Sequence, residues 1–87
     1  MDFEILEKLL TVFTAEDIIY ALLENEKKSL AIDKNCPKEI LGKLAEDSNE
    51  YIRMCIAGKN NCPEDIIRKL AEDDNESVQK QARVHLA

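Results

Sequence analysis

Residues 31–50 read AIDKNCPKEILGKLAEDSNE, and residues 57–76 read AGKNNCPEDIIRKLAEDDNE. Twelve of these 20 aligned positions are identical without a gap, and Cys36-Pro37 and Cys62-Pro63 stand 26 residues apart. Matching of this density marks an internal repeat, in which each unit is one supersecondary element. Outward from the quoted stretches, Glu26 through Leu30 falls under Ile52 through Ile56. Asn75 through Ala82 falls under Asn49 through Ile56. The chain therefore divides into residues 26–48 as a first unit, 49–74 as a second, and 75–87 as a half unit, preceded by residues 1–25.

Each unit reads as two short helices. One opens at Cys-Pro, with the proline at the first helical position, where its missing N–H costs nothing. Ile40, Leu41, Leu44 and Ala45, and one unit later Ile66, Ile67, Leu70 and Ala71, draw an apolar stripe along that helix. The other helix opens at Asn49 or Asn75, a capping residue followed by an acid. Its buried side is Ile52, Cys55 and Ile56 in one copy and Val78 and Ala82 in the next. Residues 57–61 fit a helical turn, with Gly58 ending a helix.

Residues 1–25 are expected to close the N-terminal end. Phe3, Leu6, Leu9, Leu10 and Phe13 form one stripe, and Thr14-Ala15-Glu16-Asp17 has the form of a capping box before Ile18, Ile19, Leu22 and Leu23. Residues 75–87, with Gln79, Lys80, Gln81, Arg83 and His85, are polar enough to close the other end.

Composition agrees with a helical domain. Of the 87 residues, 45% are hydrophobic and only 5% aromatic, with Leu, Ala, Glu and Lys in the place of the β-branched and aromatic residues that sheets favour. The formal charge of −6 opposes general nucleic-acid binding, which relies on clustered cations. No apolar run approaches the about 18 residues that span a bilayer. The opening MDFEILEKLL carries acids where a secretory signal carries bases. Three cysteines without such a signal predict reduced thiols and a cytoplasmic protein.

The ordered set Ile52-Arg53, Ile56-Ala57, Asn60, Cys62-Pro63, Ile67, Leu70-Ala71 and Asp73 resembles the leucine-rich repeat variant family, whose motif runs V-R-x-x-V-A, N, T-P, L-x-x-L-A-x-D. Residues 26–48 share Leu30-Ala31, Asn35, Pro37, Leu41, Leu44-Ala45 and Asp47. The resemblance covers about two thirds of the chain and implies an all-α, right-handed superhelix of paired α- and 3₁₀-helices, with no chemistry attached. Residues 1–25 do not match the cysteine-rich iron–sulfur segment of some members, so no cofactor is carried over. Cysteine replaces the family's threonine before proline. HEAT-like repeats are the neighbouring architecture, and the fixed Cys-Pro entry suits them less well.

Two functional readings follow. In the first, the protein is a non-catalytic module that binds another protein or peptide. The register stacks Lys27, Arg53 and Gln79 in one row and Lys28, Met54 and Lys80 in the next, away from the apolar stripe. A cationic strip around an exposed methionine suits an acidic helix or peptide. The same rows also arise from plain duplication of solubilising charges. In the second, Cys36, Cys55 and Cys62 serve a thiol-dependent redox or metal role, with Cys36 and Cys62 activated at helix N-termini. Against that role stand the lone His85, the absence of C-x-x-C spacing, and the ease with which a thiol packs as a small hydrophobe. The acidic runs lack calcium-loop spacing, and Gly42 and Gly58 form no phosphate loop. So small a core also makes a homodimer an expectation to test.

Overall fold

The short apolar stripes fold as seven α-helices in a computed structural model that describes residues 3–86, with side chains from residue 4. They are α1 (Phe3–Leu9), α2 (Ala15–Tyr20), α3 (Glu24–Ile32), α4 (Lys38–Leu44), α5 (Glu50–Ala57), α6 (Glu64–Leu70) and α7 (Glu76–Leu86). No strand occurs among the described residues, and the all-α class is the one observed. The 26-residue offset carries through to the helix starts: α3, α5 and α7 begin at Glu24, Glu50 and Glu76, and α4 and α6 begin at Lys38 and Glu64.

Local chemistry sets these starts. The Asn49 side chain accepts from the Tyr51 N–H at 2.9 Å, and that of Asn75 from the Val78 N–H at 3.2 Å, satisfying donors left over in each first turn. Thr14 does the same for Asp17 at 3.1 Å. The prolines stand one position earlier than the sequence predicts. Pro37 and Pro63 are caps, with φ of −58° and −56° but extended ψ of 144° and 143°, so the helices proper begin at the following residue. Gly58 caps the end of α5 at φ −87°, and residues 58–61 form a turn rather than a helix. All the helices described are α, without the 3₁₀ element that the family resemblance implies.

α5 lies between α3 and α7, and these three form one layer. In the second layer α4 packs on α2, α3 and α5, while α6 packs on α5 and α7. Ile40, Leu44, Ile52, Ile56, Leu70 and Val78 are fully buried between the layers. Each such side chain contributes about 1.5–3 kcal/mol by leaving water. Both predicted stripes, Ile40 to Ala45 and Ile66 to Ala71, are buried throughout.

The N-terminal end differs from the expected closure. Leu6 and Ile18 are buried, but Leu9, Phe13 and Leu23 remain exposed; the side chain of Phe3 lies outside the described residues. Helix α2 is a shortened copy of the Pro-led helix. Glu16-Asp17-Ile18-Ile19 repeats Glu64-Asp65-Ile66-Ile67, and α2 packs on α4. Leu22 precedes Glu24 by two residues where Leu44 precedes Glu50 by six, so the counterpart of residues 46–49 is missing.

Candidate interaction surface

The row Lys27, Arg53 and Gln79 turns inward. Arg53 places Nε 2.8 Å from Asp73 Oδ2 and Nη2 3.1 Å from Oδ1, and its Nη1 donates to the carbonyls of Asp47 at 2.7 Å and Ser48 at 3.2 Å. Lys27 Nζ lies 2.8 Å from Asp47 Oδ2 and 2.8 Å from Glu24 Oε1. Gln79 Nε2 donates to the Asp73 carbonyl, as Arg53 does to that of Asp47 one unit earlier. The Lys27 and Arg53 side chains are only 12% and 13% exposed. Two of the five residues expected to meet a partner are therefore occupied in tying helices to loops.

The electrostatics fit that role. Burial acts to raise the Asp73 carboxyl, and the Arg53 guanidinium and the Asn75 N–H outweigh it, holding the group below the usual carboxylate range. Hydrogen bonding to Asp73 raises Arg53, and hydrogen bonding to Asp47 raises Lys27. Asn49 and Asn75 extend the ladder by donating to Glu24 at 2.9 Å and Glu50 at 3.1 Å. On the opposite edge, buried Lys59 donates to the Asp33 carbonyl and Asn61 to that of Lys34 at 2.7 Å.

All three cysteines are free thiols. Cys36 is buried with Sγ 3.7 Å from the Pro37 carbonyl, and Cys62 is half-buried. Burial pushes each thiol up to about 11, opposite to the activation expected of a helix N-terminus. The reason is geometric: each cysteine precedes the cap, outside the first turn, and proline offers it no N–H. Cys55 is half-buried at the edge of the core. Among the described residues, no three His, Cys, Asp or Glu side chains group as metal ligands would.

The outward side of α3, α5 and α7 has a different composition. Its rows across the layer are Asn25, Tyr51, Ser77; Lys28, Met54, Lys80; and Ile32, Gly58, Val84. None of these nine positions is acidic, but exposed Glu24, Glu50 and Glu76 stand one turn before Lys28, Met54 and Lys80 on the same helices. Tyr51 is 64% exposed and Ile32 and Val84 are each 70% exposed. Lys28 Nζ lies 5.6 Å from the centre of the Tyr51 ring, within cation–π range, and exposed Lys80 lies 3.2 Å from Glu76. Met54 is half-buried against the core. Tyr51, Ile32 and Val84 were not marked by the stacked charges, although the same register places them beside Lys28 and Lys80.

The α4/α6 side is already neutralised. Lys69 and Lys43 converge on Glu46, Lys38 meets Asp65 at 3.7 Å, and Arg68 meets Glu64 at 2.9 Å. A shallow cleft of about 270 Å³ runs between these two helices beside Gly42. No helix among the described residues is long and apolar enough to cross a membrane.

The fold defines the chain as an all-α protein with an internal 26-residue, two-helix repeat. No protein-family model, curated protein or solved structure matches it.

Proposed function

We propose that this chain is a non-catalytic interaction module that binds another protein or peptide on the outward side of α3, α5 and α7. The supporting observation is the exposed set Tyr51, Ile32 and Val84 on this side, with half-buried Met54 between Lys28 and Lys80. Aromatic residues and methionine are enriched where proteins meet, and complementary charge governs encounter and partner choice. Lys28, Met54 and Lys80 remain the contact residues in this reading, joined by Tyr51, while Lys27 and Arg53 hold the layers in register. The repeats are taken as leucine-rich-repeat-variant-like units winding into a right-handed superhelix. The shared offset and the Arg-to-Asp ladder support that reading; the α rather than 3₁₀ geometry departs from it. Three free thiols suit a cytoplasmic setting. No cofactor and no nucleic acid enter this reading.

The test is a random 12-residue peptide display library selected on the intact chain and re-screened on the Met54→Glu variant. Enriched peptides that lose binding to the variant support the assignment. Peptides that bind both proteins equally overturn it.

A further inference from the structure

We infer that the α1/α2 end of the stack is a contact with a second copy of this chain, the two copies related by a two-fold axis. The register of the Pro-led helices locates it. Asp65, Ile66 and Lys69 of α6 line the cleft toward α4, with Gly42, Ala45 and Glu46 on the opposite wall. Their counterparts on α2 are Asp17, Ile18 and Ala21. These three, with Leu22, Leu9 and Phe13, line a cleft of about 260 Å³ in which Asp17 is the one charged residue among those described. Helix α2 thus leaves open the side that α6 turns toward α4. A further unit of the same repeat does not suit that side. Lys69 meets Glu46 across the α4/α6 contact, whereas Ala21 at the same position offers no amine.

Helix α1 widens the same surface. Hydrogen bonds from the Leu10 N–H to the Leu6 carbonyl and from the Phe13 N–H to that of Leu9 continue its winding to Phe13. Ile5, Leu9, Val12 and Phe13 then fall at i, i+4, i+7 and i+8, a second apolar stripe beside buried Leu6. Ile5, Val12 and Phe13 are half to three-quarters exposed. The stripe presents roughly 400 Å² of apolar surface, a size that marks contact sites on small proteins. Interfaces are about 60% apolar, so it corresponds to roughly 650 Å² per partner, within the range of stable pairs. Glu4, Lys8 and Asp17 flank stripe and cleft, and Glu4 meets Lys8 at 3.7 Å, so two such faces repel little. Glu7 and Glu16 line clefts on the α4 side instead.

The occupant follows from the weakness of these helices and from the opposite end of the stack. Among the described side chains, α1 and α2, seven and six residues long, each bury one, Leu6 and Ile18. Helices so short do not hold in water without packing, so their cover must be present whenever the chain is folded. A second copy always is. Head-to-tail stacking fits poorly, because the far side of α6 carries Arg68 and Glu72, and Arg83 donates to the Ala71 carbonyl at 3.2 Å. An apolar stripe laid there would bury those charges, a cost that two like stripes avoid. Pairing of identical faces about a two-fold axis satisfies both.

Sedimentation equilibrium of the intact chain between about 5 and about 500 μM reads the contact directly. The mass is expected to rise to twice 9.9 kDa and no further. Ala21→Lys restores the cation that α4 and α6 carry, and Val12→Glu places a charge on the stripe. Each is expected to raise the dimer Kd at least about a hundredfold, because a two-fold contact carries every substitution twice. Val84→Glu, on the outward side of α7, should pair as the parent does. Circular dichroism checks that each variant keeps its helices. Hydrogen exchange on the unsubstituted chain gives a second reading: residues 4–21 should gain protection as concentration rises, and α5 should not. A parent that stays monomeric, masses that grow past the dimer, or a dimer that survives Ala21→Lys or Val12→Glu in folded form each overturn the two-fold contact. A dimer lost on Val84→Glu overturns it as well. If both end variants lose their helices, the exchange pattern decides, and protection gained uniformly along the chain, or nowhere, overturns it. None of these outcomes bears on peptide capture by the outward side of α3, α5 and α7 except the loss on Val84→Glu, which would make that side the contact between copies.

Discussion

Arg53 on α5 holds Asp73, beyond α6, through two hydrogen bonds of 2.8 and 3.1 Å, and one unit earlier Lys27 meets Asp47 at the same separation of 20 residues. Both partners of the Arg53 pair are largely screened from water, and the guanidinium also satisfies the carbonyls of Asp47 and Ser48. One side chain thus links two successive loops to the helix between them.

Removing that side chain leaves a nearly buried carboxylate and two carbonyls without their donor. Arg53→Ala is expected to destabilise the fold by about 2–4 kcal/mol. Arg53→Lys should cost less, about 1 kcal/mol, because an ammonium still meets one carboxylate oxygen, as Lys27 does with Asp47. Urea denaturation of the two variants checks the order. An alanine variant as stable as the parent would show that the pair contributes nothing.

The same contacts shape the response to pH. The folded Asp73 carboxyl lies below its ordinary 3.8, so its contribution is present above that value and is lost as pH falls through the lower folded value. Cys36 and Cys62 move the other way, from 9.0 to about 11, so their contribution is present below 9.0 and is lost as pH rises toward 11. Lys27 is raised as well and adds to the alkaline loss above 10.5. Stability measured against pH should therefore hold a plateau between the two limbs, and Asp73→Asn should flatten the acid limb while leaving the alkaline one. An unchanged acid limb in that variant would remove Asp73 from the account.

The thiols give a sharper contrast. With a pKa of about 11, Cys36 and Cys62 hold roughly a thousandth of their population as thiolate at pH 8, and the thiolate is the reactive form. Iodoacetamide is expected to modify both more slowly than it modifies free cysteine, with Cys36, the most buried, the slowest. Peptide mapping of a timed reaction reads the three sites separately. Fast modification of Cys36 or Cys62 in the folded protein would return the thiol-dependent reading to the front.

The apolar stripes were legible because Ile40 to Ala45 and Ile66 to Ala71 repeat in register and bury in register. The direction of Lys27 and Arg53 was not. Both lie one position after the buried face, and whether such a residue turns in or out depends on a partner in another loop. The common separation of 20 residues, Lys27 to Asp47 and Arg53 to Asp73, was the available signal. Helix α2 escaped as a repeat copy because the four missing residues break a constant offset. Buried Lys59 escaped because nothing local in Gly58-Lys59-Asn60 announces that its amine reaches the Asp33 carbonyl.

Gly42 offers the last prediction, and its sign is opposite to the others. It lies inside α4, where glycine gives up more backbone entropy than alanine and helix propensity falls by about 1 kcal/mol. A Cβ built there meets no heavy atom within 4 Å, so no neighbour needs to move. The equivalent position in α6 is Arg68, whose guanidinium lies 2.9 Å from Glu64 at i,i+4. Gly42→Ala is therefore expected to stabilise the protein by about 0.5–1 kcal/mol, read as a higher urea midpoint at unchanged slope. Gly42→Arg should retain most of that gain, since the cleft beside α6 is open to solvent and arginine is itself a good helix former. If both variants lose stability, the glycine is needed for a close approach of α6 that the 4 Å clearance does not describe. If either alters peptide capture by the outward side of α3, α5 and α7, the two layers are coupled, since Gly42 lies on the α4/α6 side.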